Sequence, residues 1–357
     1  MKKLTAFLTA LILFLQMAGS AGALAESGRI RNFEEFESQA KSYTDVCAES
    51  FRLDVSYPFA MQIPKEQERL RDTVRQNGII RCSFELCETG PLIRLTLRAE
   101  YYPGKRCAYA FASGDTNMLN GEEKELLGRA LEIVSPMNGS DEEIVKQIHD
   151  YICKNVSPCD GASETRTDGC NTAAGALLSG MAQPDGYADA FCLLCSLKGI
   201  EAMYVPGKIK ANGNGSAEGT EEFGEYFWNA VKLDGQWYML DVAGADGERA
   251  VNYLFYLLGT DMMSADFSWS AVFPEKMSRE AYARTENPFI PVNSWDEAGE
   301  KIMEALRQGS GRLCLTGLDF QAGREKLTSI VRKLVRMSDL DIGYFMANDR
   351  CEIVFKP

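Results

Sequence analysis

The chain has 357 residues, with 51 acidic and 38 basic side chains, a formal charge of −13 and a single histidine. So acidic a surface excludes nucleic acid as the natural partner, because phosphate binding needs clustered Lys and Arg. One histidine excludes a histidine-rich metal site, no cysteines show the double CxxC spacing of a structural zinc, and no cofactor is implied.

The first segment, MKKLTAFLTALILFLQMAGSAGALAES, has Lys2 and Lys3, an apolar run from Leu4 to Met17, then small residues. "ALA" before Glu26 reads as a secretory signal cleaved after Ala25, in a bacterial style. The apolar run is short for a span. Cleavage removes two lysines and no acid, which takes the charge from −13 to −15. The mature protein is therefore expected outside the cell, secreted or at a bacterial cell surface, with no membrane span. Its eleven cysteines show no disulfide framework and sit mostly in apolar runs, so they read as small buried hydrophobes.

The mature length suggests more than one unit. Residues 26–115 run helix "NFEEFESQAKSYTDVCAES", strand "FRLDVSY", helix "KEQERLRDTVRQNG", then strands "IIRCSFEL" and "LIRLTLRAEYY". Residues 287–357 repeat that order with "SWDEAGEKIMEALRQG", "RLCLTGL", "GREKLTSIVRKLVRMS", "DIGYFMA" and "RCEIVF". Phe33 precedes Phe51, and Trp295 precedes Leu313, by the same 18 positions. The pattern predicts two copies of an αβαββ unit flanking a middle domain, residues 116–286.

In the middle, "GSDEEIVKQIHDYICKNV" opens with a capping box, Ser140 to Glu143, and carries Ile144, Ile148 and Ile152 on one helical face. The loop "SPCDGASETRTDGCN" leads to "TAAGALLSG", read as a short helix. The apolar stretch Gly186 to Lys198 reads as a buried central helix, ended by Gly199. "EAMYVPG" reads as a strand. A Gly-rich tract within 207–224 lacks the context and Lys of a phosphate loop and reads as linker. "EYFWNAVKLDGQWYMLDV" reads as a hairpin turning at Asp234-Gly235.

This order resembles the transglutaminase-like superfamily, whose fold is papain-like. The resemblance covers roughly residues 140–270 and implies an α+β core of helices packed on an antiparallel sheet. The family pattern T-A-x-G-A-L, eight residues, G-Y-A is matched by "TAAGAL", "LSGMAQPD" and "GYADAF". The family's H-A-W-N and its hairpin are matched by "YFWNAVKLDGQWYMLDV", and its Asp by Asp241. The tail "NYLFYLLGTDMMSADFSW" has Phe267 where the family pattern has a His.

In that family a Cys at the start of the buried helix attacks an amide carbonyl, a His moves the proton and an Asp orients the His. Carried over, the nucleophile position is Pro184, the base position Tyr226 and the third position Asp241. Proline is comfortable at a helix start but has no nucleophile, and a phenol is a poor base at neutral pH. No intact catalytic set remains. Asp185 and Tyr187 on the helix, with Trp228 and Asn229 on the strand, are the candidates for lining a binding cleft. His149 and Cys153 share a helix face and read as packing residues, Cys192 and Cys195 as core, and Cys170 as a substitute nucleophile without a base. Two functions follow. One is an inactive homologue that binds a peptide, cell-wall peptide or protein. The alternative is an active thiol peptidase or transglutaminase with displaced residues.

Overall fold

The computed structural model describes residues 29–356 except 90–91, 160–168, 211–222, 247–250, 270–272, 274–276, 285 and 337–340. The N-terminal segment read above as a secretory signal and most of the Gly-rich tract lie outside the described residues. The chain divides into two units, residues 1–102 and 103–357.

In the first unit, Asn32 starts α1 (Phe33–Thr44) by accepting the Glu35 N–H at 2.9 Å. β1 (Ser50–Val55) buries Phe51, Leu53 and Val55 and exposes alternate residues, as period-two patterning requires. The short α2 (Tyr57–Ala60) and α3 (Gln67–Gln76) follow, then β2 (Ile79–Thr89) and β3 (Leu92–Tyr101). The strands form an antiparallel sheet in the order β1-β3-β2.

The second unit opens with two helices absent from the sequence expectation, α4 (Pro103–Ser113) and α5 (Gly121–Val134). α4 falls within the sequence-defined block 26–115, yet Cys107 and Ala110 join the core of the second unit. α6 (Asp141–Asn155) starts at the expected box, with Ser140 and Glu143 bonded reciprocally. β4 (Ser157–Pro158) pairs in parallel with β5 (Met181–Ala182). Between them, "TAAGALLSG" forms a π-helical turn at Gly175–Ser179. α7 (Pro184–Leu197) is buried on all sides from Gly186 to Cys195, because the other helices cover it and the sheet closes beneath.

That sheet is antiparallel, in the order β8-β7-β6-β9, from β6 (Ala202–Lys210), β7 (Phe223–Leu233), β8 (Gln236–Leu240) and β9 (Phe267–Trp269). Asp234 and Gly235 have φ of 51° and 77°, the left-handed pair demanded by a two-residue turn. α8 (Val242–Ala245) and α9 (Thr260–Met263) lie between β8 and β9.

The C-terminal segment comprises β10 (Phe289–Pro291), α10 (Trp295–Arg307), β11 (Arg312–Thr316), α11 (Arg324–Val335), β12 (Asp341–Met346) and β13 (Arg350–Lys356). Its sheet runs β10-β11-β13-β12. The three antiparallel strands thus repeat the first-third-second order of the first unit. The likeness extends to single bonds. Ile30 N–H donates to Asp54 O, and Val292 N–H to Thr316 O. Arg31 N–H donates to Glu35, and Asn293 N–H to Glu297, both at 2.8 Å. Ser294 caps α10 as Asn32 caps α1. Each residue of one set lies 262 positions from its counterpart.

Candidate functional site

Pro184 is the first residue of α7, and Gln183 N–H beside it donates to Cys170 O at 2.8 Å. Proline suits this place, since the first helical N–H has no intrahelical acceptor. The helix start is pressed against the loop that carries Cys170. A Cβ on Gly186 would lie 2.3 Å from Cys170 O, so only glycine fits. Cys170 itself is buried.

Tyr226 on β7 donates its hydroxyl to Asp241 Oδ1 at 3.4 Å. Asp241 ends β8 and caps α8, accepting the Gly244 N–H at 2.9 Å. It is fully buried, which pushes its carboxyl up to about 6, against the opposing bonds from Gly244, Tyr226 and Ala243. Burial also raises the Tyr226 phenol, with Asp241 second and Tyr187 of the first turn of α7 contributing. Pro184, Tyr226 and Asp241 thus sit on α7, β7 and the end of β8, with the last two in contact. This trio holds no thiol and no imidazole. Asp241 serves as a cap and an acceptor.

Three of the four cleft candidates are interior. Trp228 is 1% exposed, packs against Phe267 at 4.9 Å and donates its indole N–H to Met239 Sδ. Asn229, also 1% exposed, ties β7 to α7 through Ala188 O at 3.1 Å and Cys192 Sγ at 3.3 Å. The Tyr187 hydroxyl donates to Asp246 and contacts Val156 O. These side chains hold the helix to its surroundings because each polar tip needs a buried partner. Of the four, only Asp185 is part-exposed.

Sequence reasoning missed Asp246, which pairs with Tyr187 through a loop contact that no local pattern announces. It also missed Asp189, the buried hub of the helix. Its carboxylate accepts from Gly104 N–H, Ala173 N–H and Tyr204 OH. Burial pushes Asp189 up to about 6 despite those donors. An acid set between Ala188 and Ala190, in the apolar stretch of the helix, was the available signal.

His149 brings together a second set. It is fully buried, stacked near Tyr253 and edge-on to Tyr256. Its Nδ1 lies 3.1 Å from Asp150 Oδ1 and its Nε2 3.9 Å from Cys153 Sγ. The Cys153 thiol also faces Val242 O at 3.6 Å. Burial raises this thiol strongly, and Asp246, Asp150 and Asp241 add to the rise. Thiol, imidazole and carboxylate are therefore adjacent, in surroundings that hold the sulfur protonated. Eight of the eleven cysteines are buried, Cys192 and Cys195 among them, and among the described residues no group of three or more His, Cys, Asp or Glu could hold a metal ion.

Residues 131–242 match the family model of the transglutaminase-like superfamily, so this segment is a transglutaminase-like domain. The kyphoscoliosis peptidases of Homo sapiens and Mus musculus are 29% and 28% identical to the chain over 108 residues, 30% of this chain. The matched part spans 16% of those longer proteins. A solved structure of a TGase is 16% identical, with a TM-score of 0.28, over 62% of this chain and 60% of that one.

Proposed function

We propose that this is a secreted transglutaminase-like protein that has lost thiol chemistry and acts by binding a peptide, cell-wall peptide or protein outside the cell. The observation that carries the loss is the contact between Tyr226 and Asp241, beside a helix that starts with Pro184. In the family pattern those positions belong to base, orienting acid and nucleophile. A phenol raised above its usual range takes no proton near neutral pH, and proline offers no attacking atom. The leader sequence supports secretion. Among the described residues no helix is long and apolar enough to cross a membrane.

A displaced thiol enzyme is the second reading, and the line Cys153–His149–Asp150 favours it. Against it, a thiolate at Cys153 would face the Val242 carbonyl and three carboxylates, and His149 has no surface for a substrate. Incubating the mature protein with casein and a labelled amine separates the two. The first reading expects neither amine incorporation nor cleavage. Turnover that disappears in Cys153→Ala would establish the second.

A further inference from the structure

Both small sheets end on one side in a strand with a single neighbour, β2 in the first unit and β12 in the C-terminal segment. The opposite side of each is extended: β10 pairs in parallel with β11, and Ile30 bridges Val55 of β1. β2 is the longer edge strand, with 11 residues against six. Edge strands are commonly guarded by proline or lysine, and β2 has neither. Among the described residues, no backbone group outside β3 meets β2 on its outer side.

The side chains of β2 are also incompletely covered. On the buried face of the sheet, Cys82, Phe84 and Leu86 stand opposite Ala99, Leu97 and Leu95 of β3. Leu95 and Leu97 are fully buried, whereas the three on β2 stay part-exposed, so the apolar layer stops short at this edge. On the other face Arg81, Ser83 and Glu85 stand opposite Glu100, Arg98 and Thr96. Arg81 meets Glu100 at 3.5 Å with side chains 77% and 61% exposed, a pair worth little in water.

The charges on β2 complement those of the same strand turned round. Partners across an antiparallel pair share a face, and successive residues alternate faces. A two-fold axis at such an edge must therefore pass beside a residue, not between two. Arg81 can face Glu85 of a second copy, but never Glu88, which lies on the opposite face. An axis at Ser83 sets Arg81 opposite Glu85 twice, Cys82 opposite Phe84 twice, and Ser83 opposite itself. An axis at Glu85 would set that carboxylate against its own copy. The pairing with β3 shifts between Ile79 and Arg81, outside these five residues. β12 offers no such solution, because Asp341 is its only charged residue.

We infer that the chain forms a dimer with a second copy of itself through β2, antiparallel about Ser83. The pairing joins two three-stranded sheets edge to edge, extends the apolar layer through Cys82 and Phe84, and uses the two Arg81–Glu85 pairs to fix the register. It concerns the first unit alone and is independent of the reading of Pro184 and Tyr226.

The test is sedimentation of the whole mature chain under reducing conditions, where a monomer–dimer equilibrium is expected between about 1 and about 100 µM, as suits a small interface. Arg81→Glu sets like charges opposite each other and should weaken the dimer at least about tenfold. Arg81→Glu/Glu85→Arg restores both pairs in reverse and should regain it. Circular dichroism should show these variants folded, because Arg81 and Glu85 lie outside the buried face. In a chain also carrying Cys82→Ser and Cys87→Ser, Ser83→Cys should form a disulfide-linked dimer on mild oxidation, and Glu85→Cys should not, since only residue 83 faces itself. A chain that stays monomeric throughout that range would overturn the inference. So would a charge reversal that fails to restore the dimer, or crosslinking as fast at residue 85 as at residue 83.

Discussion

At Pro184, Tyr226 and Asp241 the arrangement keeps a helix start and two strand positions but carries no thiol and no imidazole. At Cys153, His149 and Asp150 it carries all three functional groups along one helix, but buries the thiol and the imidazole. The first set lacks the reactive atoms that a cysteine enzyme needs, and the second lacks the access. The difference teaches that a nearby imidazole does not make a nucleophile. Desolvation and three surrounding carboxylates hold the Cys153 thiol protonated, and the neighbouring carbonyl of Val242 has no use for a thiolate. In both clusters the same polar groups serve the fold, as caps, acceptors and buried pairs.

The sharpest way to break that comparison is Asp241→Ala. If Asp241 is structural, its loss removes the cap of α8 and the acceptor of Tyr226, and unfolding in urea should lose about 2–3 kcal/mol. A change below about 0.5 kcal/mol would mean that the cap and the tyrosine bond carry no stability.

The second prediction uses pH. Asp189 and Asp241 are held near 6 by burial, whereas free aspartates titrate near ~4. The folded state therefore keeps these two protons longer than the unfolded state does. Their contribution is full below about 4, is lost as pH rises to about 6, and is constant above that. Asp150 is an opposing case: burial would raise it, but His149, Tyr253 and Lys146 bring it below the usual range, so its contribution is lost only as pH falls through that low value. Subtracting the stability curve of Asp241→Asn from that of the parent isolates one carboxyl, and the difference should decline by roughly 3 kcal/mol across that window. A difference independent of pH would show that Asp241 is ionised like a surface acid.

His149→Leu tests the other cluster. The imidazole fills space between Tyr253 and Tyr256 and meets Asp150, so its loss should cost about 1–2 kcal/mol in urea unfolding while leaving thiol labelling unchanged. A tenfold fall in Cys153 labelling would mean that the imidazole activates the sulfur. The smallest effect belongs to Tyr226→Phe, which keeps the ring against Phe267 and removes one long hydrogen bond. A loss near 1 kcal/mol or less is expected from thermal unfolding.

Much of this architecture was legible in the chain because the deciding interactions are local. Ser140 and Glu143 announce α6, Asp234-Gly235 fixes the hairpin, and alternation along Phe51, Leu53 and Val55 sets a strand face. α4 and α5 carry local signals too: Pro103 opens one, and Asn120 with Glu123 forms a capping box for the other. The site was legible as a pattern of positions, and its surroundings were not. Trp228 and Asn229 read as cleft residues because an apolar strand gives no sign of which face the helix will cover. His149 sits beside the Ile144–Ile148–Ile152 stripe, and its burial depends on Tyr253 and Tyr256, about a hundred residues away in the chain. Asp246 meets Tyr187 for the same reason: the contact is long-range.

The central claim is that no thiol in this molecule is activated. Labelling the reduced mature protein with iodoacetamide near neutral pH, with each site followed by mass spectrometry, measures this directly. The exposed Cys87 should label fastest, at the rate of an ordinary thiol, with Cys153 and Cys170 far slower because both are buried. Labelling of Cys153 or Cys170 well ahead of Cys87, with amide hydrolysis or amine incorporation abolished by the modification, would contradict the account.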